Sequence, residues 1–141
     1  MTILADVIGA NVMTSESYLN LAKLVLTEAK KLLNISQNKQ FSSEDARKFI
    51  SSFGVDPHVS VALFYLLSKA GNQPKMKVCH MFWTLNYLKE YPTELSLAIK
   101  FKVAPKTIKK WVDIVIDEFV ALEGKLVSHL YTLLLLYKVY Y

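Results

Sequence analysis

Cysteine, glycine and proline are scarce in this sequence, which has one, four and four of them among 141 residues. The single cysteine, Cys79, cannot form an internal disulfide, and a lone thiol is typical of a protein kept in a reducing compartment. Glycine-rich turns are few and alternating apolar and polar runs are absent, so nothing indicates β-hairpins. These absences favour an all-α protein.

Long uncharged runs are also absent, although 52% of the residues are hydrophobic and the mean hydropathy is +0.24. The uncharged runs at 57–68, 78–88 and 126–137 have about a dozen residues each, fewer than the ~20 that a membrane-spanning helix needs. No basic residue precedes Lys23, so no positively charged region introduces a secretory signal. We therefore expect an intracellular protein with no integral membrane span, and a nuclear one if the source is a eukaryote.

Apolar residues recur at three- and four-residue steps along most of the chain, which is the spacing of amphipathic helices. Ser42 or Ser43 and Asp56 are residues that begin helices, whereas Gly54 and Gly124 are residues that end them. The pattern predicts a single all-α domain of six or seven helices. The predicted segments are about 15–34, 42–53, 58–69, 75–90, a short helix from 93 to the turn at 102, a helix over 105–124, and an apolar segment over 125–141.

The same spacing predicts which side chains are buried. The first helix has an apolar stripe of Leu21, Leu24, Val25, Leu32 and Leu33, and the second buries Phe49, Ile50 and Phe53. The third helix is apolar on nearly every side and is predicted to be the central one. We expect one connected core that contains Phe64, Leu67, Trp83, Leu97, Ile108 and Trp111.

Residues 92–111 have the pattern of a helix-turn-helix. Ala98 supplies the small side chain that is needed where the second helix crosses the first, and Pro105 suits the first position of the second helix. Five lysines and one acid lie between Thr93 and Trp111, and the lysines fall on the outer side. In a DNA-binding helix-turn-helix that side faces the major groove and its phosphates. The predicted base-facing residues are Lys106, Thr107 and Lys110, and the predicted phosphate contacts are Lys100, Lys102 and Lys109.

Catalytic and metal-binding patterns are not found. His58, His80 and His129 do not have ligand spacing with Cys79, and no phosphate-binding glycine loop or nucleophile elbow is present. The acidic residues after Trp111, which are Asp113, Asp117, Glu118 and Glu123, are more typical of a solvated helix side than of a two-metal site. We expect no catalytic residues, no metal and no cofactor.

From Ser42 to about Val127 the chain resembles the N-terminal helix-turn-helix region of DDE-superfamily transposases of the insertion-sequence and Harbinger-like kinds. Three phrases carry the resemblance: Phe53–His58, Phe82–Glu94 and Phe101–Trp111. Where these families commonly have glycine in the turn, this chain has Lys102, which must then adopt a left-handed backbone conformation at a cost of about 1 kcal/mol. The resemblance implies a DNA-binding module.

Relatives in that superfamily continue into an RNase H-like nuclease, whereas this sequence runs through Ser128–Leu133 to Tyr141. We therefore expect a truncated or domesticated fragment without nuclease activity. The predicted organisation is an N-terminal helical extension at 1–41, a transposase-like domain at 42–127 and an apolar tail at 128–141. The tail has one helical face suited to self-association or a protein partner, formed by Leu126, Leu130, Leu133, Leu134 and Tyr137.

Two functions remain open at this stage. The first is a stand-alone module that binds double-stranded DNA, which the net charge of +5 permits. The second is a non-catalytic all-α structural or protein-interaction subunit whose lysines only keep the surface soluble. The first predicts that Lys106, Lys109 and Lys110 are exposed together, and the second predicts them dispersed or covered.

Overall fold

The computed structural model describes residues 15–70 and 73–140, and within them every regular element is an α-helix. The predicted all-α fold is confirmed, and six helices are present in these residues. In chain order they are α1 (Ser15–Leu32), α2 (Ser43–Phe53), α3 (Pro57–Ala70), α4 (Val78–Glu90), α5 (Glu94–Phe101) and α6 (Pro105–Tyr140).

Local sequence explains most of the helix ends. Ser42 begins α2 because its hydroxyl accepts a hydrogen bond from the Asp45 amide, while the Asp45 carboxylate accepts one from the Ser42 amide. Gly54 ends α2 with φ +75°, a conformation that glycine adopts without steric cost. The start of α4 at Val78 is three residues later than predicted, because the Lys77 amide donates to Nδ1 of His80 and fixes the first turn there.

The buried side chains form two clusters in the described residues, so the prediction of one connected core was wrong. Phe64 and Leu67 belong to a larger cluster that joins α1, α2, α3 and α4 and includes Leu122 of α6. Trp83, Leu97 and Ile108 belong to a smaller cluster that joins α4, α5 and α6, and Trp111 is half-buried against it. Phe101 is half-buried and packs against both clusters, which share no fully buried residue in the described part of the chain.

The central helix is α4 rather than α3, because α4 is buried on nearly all sides over residues 80–86 and contributes to both clusters. α3 instead leaves Val59 exposed to solvent. Two further burial predictions were wrong, since Leu24 on α1 and Ile50 on α2 are exposed. Period-3.6 spacing identifies the apolar side of a helix but does not fix how wide a strip the neighbouring helices cover.

Gly124 does not end a helix, contrary to prediction. α6 continues through it as one helix of 36 residues, and a Cβ atom at Gly124 would meet nothing within 4 Å. The predicted association face stays a prediction, because only the backbone is described for its residues, which are Leu126, Leu130, Leu133, Leu134 and Tyr137. The domain boundaries at 41/42 and 127/128 also stay predictions, although Val25 and Ala29 of α1 lie in the larger cluster.

In the part of the chain that is described, no single helix is long and apolar enough to cross a membrane. The α2–α3 pair reaches that length and hydropathy together, but it bends by 50° at the break between the two helices.

Candidate nucleic-acid interface

The turn between α5 and α6 consists of Lys102, Val103 and Ala104. Lys102 has φ 57° and ψ 46°, so the left-handed conformation predicted for this position is confirmed. The Val103 amide donates to the Ala98 carbonyl at 3.0 Å, and the Lys102 amide donates to the Ile99 carbonyl at 3.3 Å. These two bonds are those of a Schellman cap, which here satisfies the last carbonyls of α5 and redirects the chain into α6.

The smaller cluster holds α5 and α6 together beneath this turn. Its buried members are Leu97 and Ala98 of α5 and Ile108 and Val112 of α6, together with Trp83 of α4. Ala98 is 3% exposed, so a larger side chain has no room where the helices meet. The sequence pattern of small and large apolar residues therefore packs as predicted, with α4 as the third helix of the unit.

All six residues predicted to contact DNA are exposed. Lys100 lies at the end of α5, Lys102 in the turn, and Lys106, Thr107, Lys109 and Lys110 in the first two turns of α6. Ile108 is buried between them, which fixes the orientation of this part of α6 and leaves the neighbouring lysines in solvent.

Two of these lysines are paired with carboxylates. Nζ of Lys100 is 3.2 Å from Oε2 of Glu90, and Nζ of Lys109 is 3.7 Å from Oε1 of Glu94. Both pairs are exposed, where an ion pair contributes about 0–1 kcal/mol and exchanges readily for another anion. Lys102 and Lys106 have no ion pair within the described residues, so their charges are free to attract an anionic partner.

Acidic side chains limit the basic surface on α6. Asp113 and Asp117 are exposed and follow Lys109 by one and two turns. A cavity of about 50 Å³ is lined by Glu94, Lys109 and Asp113 together, so two carboxylates flank that one lysine. The basic part of the surface is therefore confined to the start of α6, the turn and the end of α5.

Trp111 fixes α6 against α4 as well as α5. Its indole stacks on the imidazole of His80, with ring centroids 3.8 Å apart and 9° between the planes. Burial, followed by the charges of Lys77 and Lys110, lowers the pKa of His80 to about 4. The imidazole is thus neutral near pH 7, with its Nδ1 atom occupied by the Lys77 amide.

Lys77 is a basic residue near His80 that the sequence did not indicate. It lies just before α4, about thirty positions from Lys110 in sequence, yet both side chains act on the same buried imidazole. Lys77 is exposed. No motif spacing links the two lysines, because only the packing of α4 against α6 places both of them near His80.

The described residues offer few groups suited to metal binding or to nucleophilic chemistry. No group of three or more His, Cys, Asp or Glu side chains there is arranged to hold a metal ion. The Cys79 thiol is half-buried, and burial followed by the nearby Glu28 charge raises its pKa, which disfavours the reactive thiolate. Asp113 and Asp117 share a solvated side of α6.

The chain was compared with protein-family models, with curated proteins and with solved structures, and none of the three comparisons found a match.

Proposed function

We propose that this chain is a non-catalytic helix-turn-helix module that binds double-stranded DNA through the start of α6. The observation that carries the proposal is the exposure of Lys102, Lys106 and Lys110 around a turn whose buried side is fully packed. Such lysines attract phosphates, and a rigid support lets them do so without ordering a loop first.

The charge order along α6 favours one way of docking. Lys106 and Lys110 precede Asp113 and Asp117 on the exposed side, and residues three or four apart on a helix share a side. A helix laid flat along the groove would bring both aspartates close to phosphates. Entry of the N-terminal end alone keeps them about 5–10 Å further out, given a rise of 1.5 Å per residue.

Sequence selectivity in this arrangement is modest. The base-facing positions carry Lys106, Thr107 and Lys110, and lysine makes a point contact rather than a bidentate one. The Thr107 methyl is suited to contact a thymine methyl. We expect affinity to come mainly from phosphates and to depend steeply on salt.

The proposal is tested by titrating a mixed-sequence duplex of about 30 base pairs into the full chain at several salt concentrations, since non-specific affinities of about 10⁻⁴–10⁻⁶ M are measurable this way. The variant changes Lys102, Lys106 and Lys110 together to alanine. Each lysine charge removed from the interface lowers the slope of log K against log salt by up to about 0.9, so the variant's slope falls by about 1–3.

A matched variant changes Lys23, Lys31 and Lys69 to alanine, which removes the same charge from α1 and α3. If the start of α6 contacts the DNA, this variant keeps most of the parent's slope of log K against log salt. Equal losses in both variants would mean a diffuse attraction to net charge. Unchanged binding in the first variant, with helical content intact, would reject the groove assignment.

A second function is favoured by the outer side of α5. Leu95 and Ile99 are 62% and 69% exposed one turn apart, and Tyr91 before the helix is 78% exposed. Exposed apolar residues that adjoin in this way mark protein contacts. If Leu95→Glu with Ile99→Glu abolishes a native partner's binding while the lysine variant leaves it intact, the chain is an interaction subunit instead.

The finer points of the proposal are its origin and location. A transposase-like origin is what the resemblance of residues 42–127 implies, and we propose it for this module. DNA binding in a eukaryote would place it in the nucleus. Self-association through Leu126, Leu130, Leu133, Leu134 and Tyr137 would give such a module two DNA-binding surfaces.

A further inference from the structure

A groove on the side of the molecule formed by α1 and the start of α4 has a cavity volume of about 490 Å³. Leu24 of α1, Phe64 of α3, and Met76 and Val78 before and within α4 form its apolar lining. A mostly apolar concavity of roughly 300–1,000 Å³ with a few polar groups has the dimensions of a small-molecule site.

The base and the wall of the groove differ in burial. Phe64 and Val78 are buried members of the larger core cluster, so packing against that cluster holds the base in place. Leu24 is 55% exposed, and this large apolar side chain borders the groove without being covered. An apolar ligand would therefore remove Leu24 from water without displacing a core side chain.

The charged groups of the groove are not equivalent. Glu28 lies one turn after Leu24 on α1 and is half-buried in the lining, with no ion pair or hydrogen bond among the described residues. Lys77 also borders the groove but is exposed, so water screens its charge more strongly. Both charges reach the groove wall at Cys79, where burial and then Glu28 raise the pKa of the thiol and Lys77 lowers it by a smaller amount.

We infer that this groove binds a small apolar cation, in which an aromatic or alicyclic body contacts Leu24, Phe64 and Met76 and an ammonium group pairs with Glu28. A half-buried carboxylate without a partner gains more from a cation than an exposed carboxylate does, because less water competes for it. The inference does not depend on DNA binding.

The test uses three probes of the same shape: 1-naphthylmethylamine, the neutral 1-naphthalenemethanol and the anionic 1-naphthoate. Binding to the full chain is followed by heteronuclear NMR up to about 10 mM, because ligands of about a dozen heavy atoms bind with a Kd on the order of 1 mM or tighter. The amine is expected to bind about three- to tenfold more tightly than the alcohol. The naphthoate is expected to bind more weakly than either.

The single cysteine provides a second readout. Cys79 lines the groove, so a bound amine slows its modification by a disulfide reagent at fixed pH. Glu28→Gln removes the preference for the amine over the alcohol and leaves alcohol binding unchanged. Leu24→Trp fills the groove and removes binding of both probes.

Leu19→Trp is the matched control, because Leu19 is also an exposed leucine on α1 and is not part of the lining. It retains the parent's affinity for the amine. The inference is overturned by the absence of saturable amine binding, by equal affinity for amine and alcohol, or by full amine binding in Leu24→Trp. Circular dichroism of each variant confirms that the helices are retained.

Discussion

The imidazole of His80 lies parallel to the indole of Trp111, with 3.8 Å between the ring centroids. This contact joins the central helix α4 to the helix that carries most of the candidate DNA-binding residues. Because His80 is also the acceptor for the Lys77 amide, one neutral side chain orders both the start of α4 and the second turn of α6.

The first prediction concerns pH. The folded-state pKa of His80 is about 4, below the ~6.5 of an unfolded chain, so the unfolded state binds the extra proton between these values. Stability is fully present above about pH 6.5 and falls as the pH drops toward 4, by on the order of 2 kcal/mol after allowance for solvent screening. Urea unfolding across this range measures the fall.

His80→Gln is the control for this prediction, since glutamine keeps an acceptor for the Lys77 amide and does not titrate. The pH dependence of the free energy of unfolding between about 4 and 6.5 should flatten in this variant. An unchanged profile would assign the acid sensitivity to other groups.

The second prediction concerns the turn. Lys102→Gly relieves the left-handed conformation and should raise the free energy of unfolding by about 1 kcal/mol. Gly54→Ala is the reverse test, because Gly54 has φ +75° and a Cβ atom there would lie 3.3 Å from Cδ of Lys89. The free energy of unfolding of this variant should fall by at least about 1 kcal/mol. Thermal denaturation gives both values, and a destabilising Lys102→Gly would contradict the turn geometry.

The third prediction tests the continuity of α6. Gly124 lies in a helix interior with open space around its Cα, so Gly124→Ala should stabilise the protein by about 0.5–1 kcal/mol. If the helix instead ended there in a left-handed residue, as the sequence suggested, alanine would destabilise it by a similar amount. The sign of the change in midpoint temperature decides between the two.

The fourth prediction concerns Asp113 and Asp117, the exposed carboxylates that follow the lysines on α6. Asp113→Asn with Asp117→Asn should tighten duplex binding about two- to tenfold at low salt, because both carboxylates lie within about a Debye length of the proposed contact. Glu123→Gln on the same helix is the control and should change affinity much less. Equal gains per charge removed, with two charges removed in the double variant and one in the control, would indicate a net-charge effect.

The fifth prediction concerns Lys77. Lys77→Ala should lower the slope of log K against log salt by about 0.9 and leave stability nearly unchanged, because its backbone amide rather than its side chain caps α4. Lys69→Ala removes the same charge from the end of α3 and should have a smaller effect. A Lys77 variant with the parent slope would place this residue outside the interface.

Local sequence determined the helices of this protein and several of their ends. Ser42, Gly54 and Thr93 act through hydrogen bonds or backbone angles within a few residues of themselves, so the sequence is enough to locate them. The left-handed Lys102 was predictable for the same reason, since a tight turn between two helices requires such a residue whatever its side chain.

Tertiary packing decided the rest. Gly124 is a helix end or a helix interior depending on what the flanking segments pack against, and helix propensity is too weak to choose. The division of the core into two clusters, the exposure of Leu24 and the placement of Lys77 and Lys110 near His80 depend on which helices adjoin. The sequence by itself determined an all-α chain with a lysine-rich helix-turn-helix pattern, because these follow from contacts a few residues apart. Only the tertiary structure decided which lysines share a surface and where a groove remains, because those features depend on residues distant in sequence.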